Sequence, residues 1–340
     1  KKSKKKAKKK GGGGGGGGSS GGIKGFGSAG SAVASSSSSS SGPVGEIDRS
    51  KPSMEFYSYL ENQGAGSNLK RVALAHFPIA DDGSVKIRGV MALRKIKKGE
   101  PIIDIPYELA LNLGRESSDP TLPASVLLRE YCAGCASPES DARGGRGPYL
   151  AMLPEYMGSD CRGSTDFFDD DALDALQSPL VKDETLRRRG MTERRYESEF
   201  SSSAESATGG DPSCAWSDGE TVTQQHLLWA SWLITSRVLT VQGAAGTDEA
   251  YRLMIPLVDM CNHDRSSPHV LTGRAAPGGS LKVAAGRTIE PGEQINICYG
   301  GGVAGNDRFV QDYGFLDNFD DGTAFDIVAK ILAGKSRARE

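Results

Sequence analysis

Leu253 to Asp264 reads "LMIPLVDMCNHD". Leu253 to Val258 is an apolar run of strand character. It breaks into Asp259, Met260, Cys261, Asn262, His263 and Asp264, a dense set of polar side chains for a segment leaving a buried strand. Loops held by rigid strands are where binding and catalytic groups collect. On these residues alone a metal site, a catalytic centre and a plain polar turn all fit.

Upstream, "TQQHLLWASWLITSRVLTV" from Thr223 to Val241 reads as one strong helix, apolar on nearly every side at its centre and therefore buried. Arg237 in its last turns is a charge among buried groups and wants a partner. Downstream, "INICY" is a strand ending at Tyr299, and "NDRFVQDYGF" carries Tyr313. Near the other end, "VKIRGVMALRKIKKGEPIIDIP" reads as a strand (Val85 to Leu93), a turn (Lys97 to Glu100) and a second strand (Pro101 to Ile105). "LKVAAGRTIEPGEQINICYG" repeats that arrangement, and both share I-x-x-G-E-x-I, at 96–102 and 289–295. Glycine there suits a left-handed turn, so each unit is expected to close as a hairpin. Two such units suggest one β-rich domain with a long insert.

The insert, 114–222, is expected to be mostly helical, with "ASVLLREYCAG" and "DDDALDALQSPLV" as helices and 201–220 as a loop. Residues 53–113 form the part before it and 223–318 the part after it, with 319–340 as the start of a further region. "SMEFYSYLENQ" is read as a helix with Ser53 as its N-cap. Residues 1–52 open with "KKSKKKAKKK", continue through eight glycines and a Ser-rich stretch, and are read as a disordered tail, since they bury too little apolar surface to offset chain entropy.

The formal net charge of −2 includes eight lysines in the first ten residues, so the remainder is markedly acidic. That argues against nucleic acid and for a basic protein partner. The six cysteines are too sparse for a disulfide scaffold and suggest reduced intracellular thiols. No apolar run approaches the ~20 residues of a membrane span. The sequence does not begin with Met, which fits a fragment.

Several chemistries are weaker on context. Cys132 and Cys135 form one CxxC with no second ligand pair. His263 and His269 lack the helical i, i+4 spacing, and no metal site is expected. No G-x-S-x-G elbow is present for hydrolysis. Gly300, Gly302 and Gly305 match G-x-G-x-x-G, but the βαβ units a dinucleotide fold needs do not follow.

"RLMIPLVDMCNHD", "GEQINICYG" and "NDRFVQDYGF", preceded by "WASWLITSR" and "RGVMALRKIKKGEPIIDIP", together resemble SET-domain protein methyltransferases. The branch resembled is that of Rubisco large-subunit lysine methyltransferase, which also includes the actin-histidine methyltransferase. The resemblance implies an α+β SET fold of small β sheets with a helical insert. Its C-terminal segment would thread under a loop to form a pseudoknot, with "DMCNH" and "DYGF" as the two halves. It implies S-adenosylmethionine as cofactor and a protein substrate. Apart from the resemblance, a monomer is expected, in the cytoplasm or nucleus rather than a plastid.

Residue by residue, the resemblance implies cofactor contacts from Lys86, Ile87 and Arg88, where Lys86 replaces the family's acidic residue. Further contacts would come from Arg237 to the methionine carboxylate, from Asp259, Asn262 and His263, and from Gly305, Asn306 and Asp307. Tyr299 would be the catalytic tyrosine and Tyr313 the channel tyrosine, with Leu239 and Phe315 along the target channel. An aliphatic Leu239 suits lysine rather than histidine as acceptor. The reaction would be in-line methyl transfer to a deprotonated amine; a catalytically silent binding module is the rival. The branch's C-terminal substrate-binding domain would begin near Asp320.

Overall fold

The computed structural model describes residues 45–79, 84–136, 145–201, 216, 219–302 and 304–317. The expectations for residues 1–44, for most of the 201–220 loop and for 318–340 lie outside these residues. The strands are β1 (Glu46–Ile47), β2 (Val72–Pro78), β3 (Lys86–Ala92), β4 (Pro101–Pro106), β5 (Leu111–Arg115), β6 (Leu239–Gln242), β7 (Ala250–Met254), β8 (Asn262–His263), β9 (Val270–Thr272), β10 (Ser280–Ala284) and β11 (Gln294–Ile297). The helices are α1 (Lys51–Asn62), α2 (Thr121–Ala136), α3 (Gly147–Leu150), α4 (Ser159–Arg162), α5 (Asp170–Ala175), α6 (Pro179–Glu199), α7 (Gln224–Arg237) and α8 (Asn306–Tyr313).

Three small sheets result, in the orders β1-β2-β3-β11-β8, β4-β10-β9 and β5-β7-β6. The two I-x-x-G-E-x-I units do not close as hairpins; they pair with each other. β3 runs antiparallel to β11, β4 runs antiparallel to β10, and Ile96 bridges Ile289. The turn bonds are matched: Gly292 N–H donates to the Ala92 carbonyl (2.8 Å) and Gly99 N–H to the Ala285 carbonyl (2.7 Å). Gly99 and Gly292 both sit at φ 87°, the left-handed region a side chain resists. Local reading makes each unit a hairpin because it cannot see a partner so far along the chain.

Three boundaries move. Glu46 and Ile47 pair with His76 and Ala75, so order reaches into the segment read as tail. The first helix begins at Lys51 with Pro52 in its first turn, and Ser53 does not cap it: its hydroxyl donates to Asp48 Oδ2 at 2.7 Å, inside the fold. The helix read as Thr223 to Val241 stops at Arg237, and Leu239–Gln242 is β6, paired with β7. The apolar run continues through the junction, so hydrophobicity alone hides the change of period. "DDDALDALQSPLV" likewise divides: Asp169 caps α5 by accepting from Ala172 N–H, and Ser178 caps the longer α6.

The insert packs into the same core as the sheets. Leu127, Leu128 and Trp229 belong to one buried cluster with Val90, Ile102 and Ile295. Burial of large side chains at ~25 cal/mol per Å² makes this shared core the main stabilising contact between insert and sheets.

Candidate active site

A cleft of about 770 Å³ lies where β3, the insert segment Leu153–Gly163, the C-terminal turn of α7, the Asp259–His263 segment and Tyr299–Phe315 meet. That volume is in the range of small-molecule sites, ~300–1,000 Å³. Arg237 projects from the last turn of α7, where a cation is favoured by the helix dipole. Its Nη1 donates to the carbonyl of Asp259 at 2.8 Å and lies 4.0 Å from the Asp259 carboxylate. That carboxylate is sealed, its side chain 0 % exposed, and it accepts from the hydroxyl of Tyr149 at 2.9 Å. Burial pushes the Asp259 carboxyl up to about 6, against the opposing pull of Arg237 and the Tyr149 bond. Arg88, also beside Asp259, donates to the Met152 carbonyl at 2.6 Å. Two guanidiniums therefore lie near one sealed carboxylate at the cleft floor, with Asp48 and Asp160 as further acids acting on Arg88, and the partly open Arg237 is the one placed to receive an anion.

The turn into the polar segment is strained. Leu257 adopts φ 66°, ψ −39°, unusual for a residue with a Cβ, just ahead of Val258–Met260. The next residues enter β8, which pairs in parallel with β11, Asn262 opposite Asn296 and His263 opposite Ile297. Asn262 Nδ2 donates to the Arg88 carbonyl at 2.9 Å across Gly89, where a Cβ would come within 2.8 Å of that same nitrogen. Glycine at 89 is what lets β3 approach the Asn side chain.

His263 Nδ1 accepts from the Tyr299 N–H at 3.0 Å, which puts its proton on Nε2, 3.4 Å from Asp317. Burial lowers its basicity, so the ring is neutral and locks Tyr299 rather than exchanging protons. The Tyr299 hydroxyl donates to the Cys261 carbonyl at 2.5 Å. Its ring lies 4.8 Å from that of Tyr313, and Phe309 and Phe315 extend the aromatic group. Burial drives both phenols well above the usual tyrosine range, so both stay protonated and act as oriented dipoles. Gly314 (φ 76°) caps α8 and passes so near Gly163 that a Cβ would meet its carbonyl carbon at 2.7 Å. The "YGF" glycine is thus required twice over.

Lys86, Ile87, Arg88, Arg237, Asn262, His263, Tyr299, Tyr313 and Phe315 all border the cleft. The Lys86 ammonium pairs with Glu46 at 3.0 Å. Asp259 borders the cleft too, with its carboxylate facing inward to Tyr149. Leu239 does not line the cleft: it is buried in β6 opposite Leu253, a consequence of the helix ending at Arg237. Gly305, Asn306 and Asp307 are also not among the lining residues; Gly305 is the N-cap of α8, and Asn306 Oδ1 accepts from Asp317 N–H at 2.8 Å. Tyr149, Met152 and Trp232 were missed. Trp232 borders the cleft, is 3 % exposed and has no partner for its indole N–H among the described residues. Five positions from Arg237 it does not share that residue's helix face, so its position gave no signal, and Tyr149 offered none either. Among the described residues no group of three or more His, Cys, Asp or Glu side chains is placed to hold a metal ion, and no helix is long and apolar enough to cross a membrane.

The solved structure of the SET domain of LSMT bound to lysine and AdoHcy superimposes with a TM-score of 0.55 and 18 % identity, over 78 % of this chain and 57 % of that one. Rubisco LSMT bound to AdoMet gives 0.55 and 18 %, over 79 % and 57 %. At such identity these likenesses speak for the fold. A 94-residue stretch is 30 % identical to the ribosomal lysine N-methyltransferase set11 of Schizosaccharomyces pombe, covering 28 % of this chain and 23 % of that protein. The chain thus spans a little over half of the solved relatives and about a quarter of the curated one. The SET domain family profile matches residues 87–300, which include the cross-paired units, the arginine-bearing helix, the Asn-His segment and Tyr299. The chain belongs to the SET-domain family.

Proposed function

We propose that the cleft binds S-adenosylmethionine and that the chain is a protein-lysine N-methyltransferase, acting inside the cell on a non-histone protein. The observation that carries this reading is one cleft holding the partly open Arg237 guanidinium at its floor and the Tyr299–Tyr313 phenol pair on its wall. S-adenosylmethionine, when bound, supplies a methyl group on an electrophilic sulfonium. Arg237, with a single hydrogen bond among the described residues, would hold the carboxylate through its remaining donors. Asn262, His263 and the backbone of β3 would line the rest.

On the acceptor side, the rings of Tyr299, Tyr313 and Phe315 make an apolar wall that disfavours an ammonium, so the lysine arrives neutral with its proton left in solvent. Tyr299, fixed between the His263 ring and the Cys261 carbonyl, directs a hydroxyl and a carbonyl dipole at the site. Positioning of this kind supplies the larger part of such a displacement. Lysine as acceptor is supported by the lysine methyltransferases that the chain resembles. Leu239, buried away from the cleft, gives it no support. Among the described residues Cys161, Cys261 and Cys298 are free thiols, in keeping with a reducing compartment.

The test is calorimetric titration with S-adenosylmethionine, followed by incubation of the full chain with labelled cofactor and native extract and mass spectrometry of labelled peptides. Label on lysine, abolished by Tyr299→Phe, is the expected result. Label on histidine would replace the acceptor. Binding without transfer would make the chain a silent module.

A further inference from the structure

We propose that Tyr149, contributed by the helical insert, is a positioning residue for Arg237, acting through the carboxylate of Asp259. The proposal rests on the reading of the cleft as an S-adenosylmethionine site. Tyr149 is fully buried in α3, and its hydroxyl reaches Asp259, 110 residues further along the chain, at 2.9 Å. Among the described residues Asp259 Oδ1 has no hydrogen-bond partner, so the phenol is the one hydrogen bond this carboxylate accepts from another residue. Burial holds the Tyr149 phenol far above its ordinary range, so the proton stays on tyrosine and the carboxylate accepts.

The same short stretch reaches the second guanidinium, because Met152, three residues on, accepts from Arg88 through its carbonyl. Tyr149 to Met152 is therefore a bracket: one end fixes the carboxylate beside Arg237 and the other holds Arg88. The groups facing Asp259 are Arg237 from α7, Arg88 from β3, Tyr149 from α3, Tyr299 after β11 and Cys261 on its own loop. Without the phenol, two guanidiniums and its own backbone N–H are the attractive partners left to a sealed carboxylate among the described residues, and proton uptake becomes its cheapest relief. A protonated Asp259 no longer anchors the Arg237 guanidinium by charge.

The experiment uses the full chain and Tyr149→Phe, which keeps the ring and its packing. Carbon-13 NMR of aspartate carboxyls in the cofactor-free protein should show Asp259 titrating near 6 in wild type. In Y149F the midpoint should move up by about one to two pH units, the worth of one hydrogen bond to a charged group. Affinity for S-adenosylmethionine should fall roughly 3- to 10-fold at pH 7 and recover as pH is raised to about 9, where the carboxylate ionises again. Asp259→Asn should show the loss without the recovery. A Y149F midpoint equal to wild type, or a loss of affinity that is the same at every pH, would mark Tyr149 as packing only and overturn the proposal. Wild-type protein that binds no S-adenosylmethionine at any pH overturns the proposed function itself, whatever the carboxyl titration shows.

Discussion

Two buried carboxylate–guanidinium clusters lie near the "YGF" segment, one at the cleft and one at Asp312, and they differ in how open they are. At the cleft, Asp259 faces Arg237 and Arg88, and Arg237 is partly open. Between α6 and α8, Arg188 bonds Asp312 at 2.6 Å and Glu184 at 3.2 Å and faces Asp166 at 3.8 Å, while Arg308 also pairs with Asp312. Glu184 also pairs with Arg187, Arg189 acts on Asp166, and Arg188, Asp166 and Asp312 are sealed from solvent. Burial raises Asp166 to about 6, as it does Asp259, with Asp312 adding to the push. The same chemistry thus serves two ends. One cluster is closed and docks the insert onto the helix that ends in Tyr313; the other opens onto a cavity.

The largest expected effect is on the closed cluster. Arg188→Ala should cost about 3–5 kcal/mol of stability in a denaturant titration, because it strands two buried carboxylates. A variant as stable as wild type would break the contrast. Tyr299→Phe should lower methyl transfer by roughly 10²–10³ in single-turnover assays, leaving cofactor affinity near wild type. Arg237→Ala should weaken S-adenosylmethionine binding by about 10- to 100-fold while shifting stability by only ~1 kcal/mol. An Arg237 variant that unfolds instead would make the two clusters alike.

The smallest effect sharpens the comparison through pH. Asp166 is about 6 when folded and ~3.9 when unfolded. Between those values the folded state binds more protons, so this group's contribution to stability falls as pH rises. Asp166→Asn should therefore gain on wild type in melting temperature from pH 4 to pH 6.5. Taking the difference removes His269, which is held near 4 and gives an opposite slope. Added S-adenosylmethionine should move the Asp259 titration and leave that of Asp166 in place.

What the sequence made legible follows the range of the interactions. Arg237, Asn262, His263, Tyr299 and Tyr313 stand in short ordered motifs, and the fold gathers them at one cleft. The strand positions around both I-x-x-G-E-x-I units were legible from alternation and glycine, but their pairing was not, since a turn says nothing of a remote partner. Leu239 was misplaced because an apolar run does not announce where period 3.6 gives way to period 2. Tyr149 stayed hidden in "GPYLAMLP", a stretch with no period and no charge, whose partner lies in another motif.

The interlocking of Ile96 with Ile289 also sets an order of events in synthesis. The strand after the first glycine turn has no sheet to join until the second unit leaves the ribosome, nearly two hundred residues later. Until then the early strands wait with open edges beside an insert whose helices can form locally. Closure of the two units is a slow, high-contact-order step, and translation past Ile297 is what permits it.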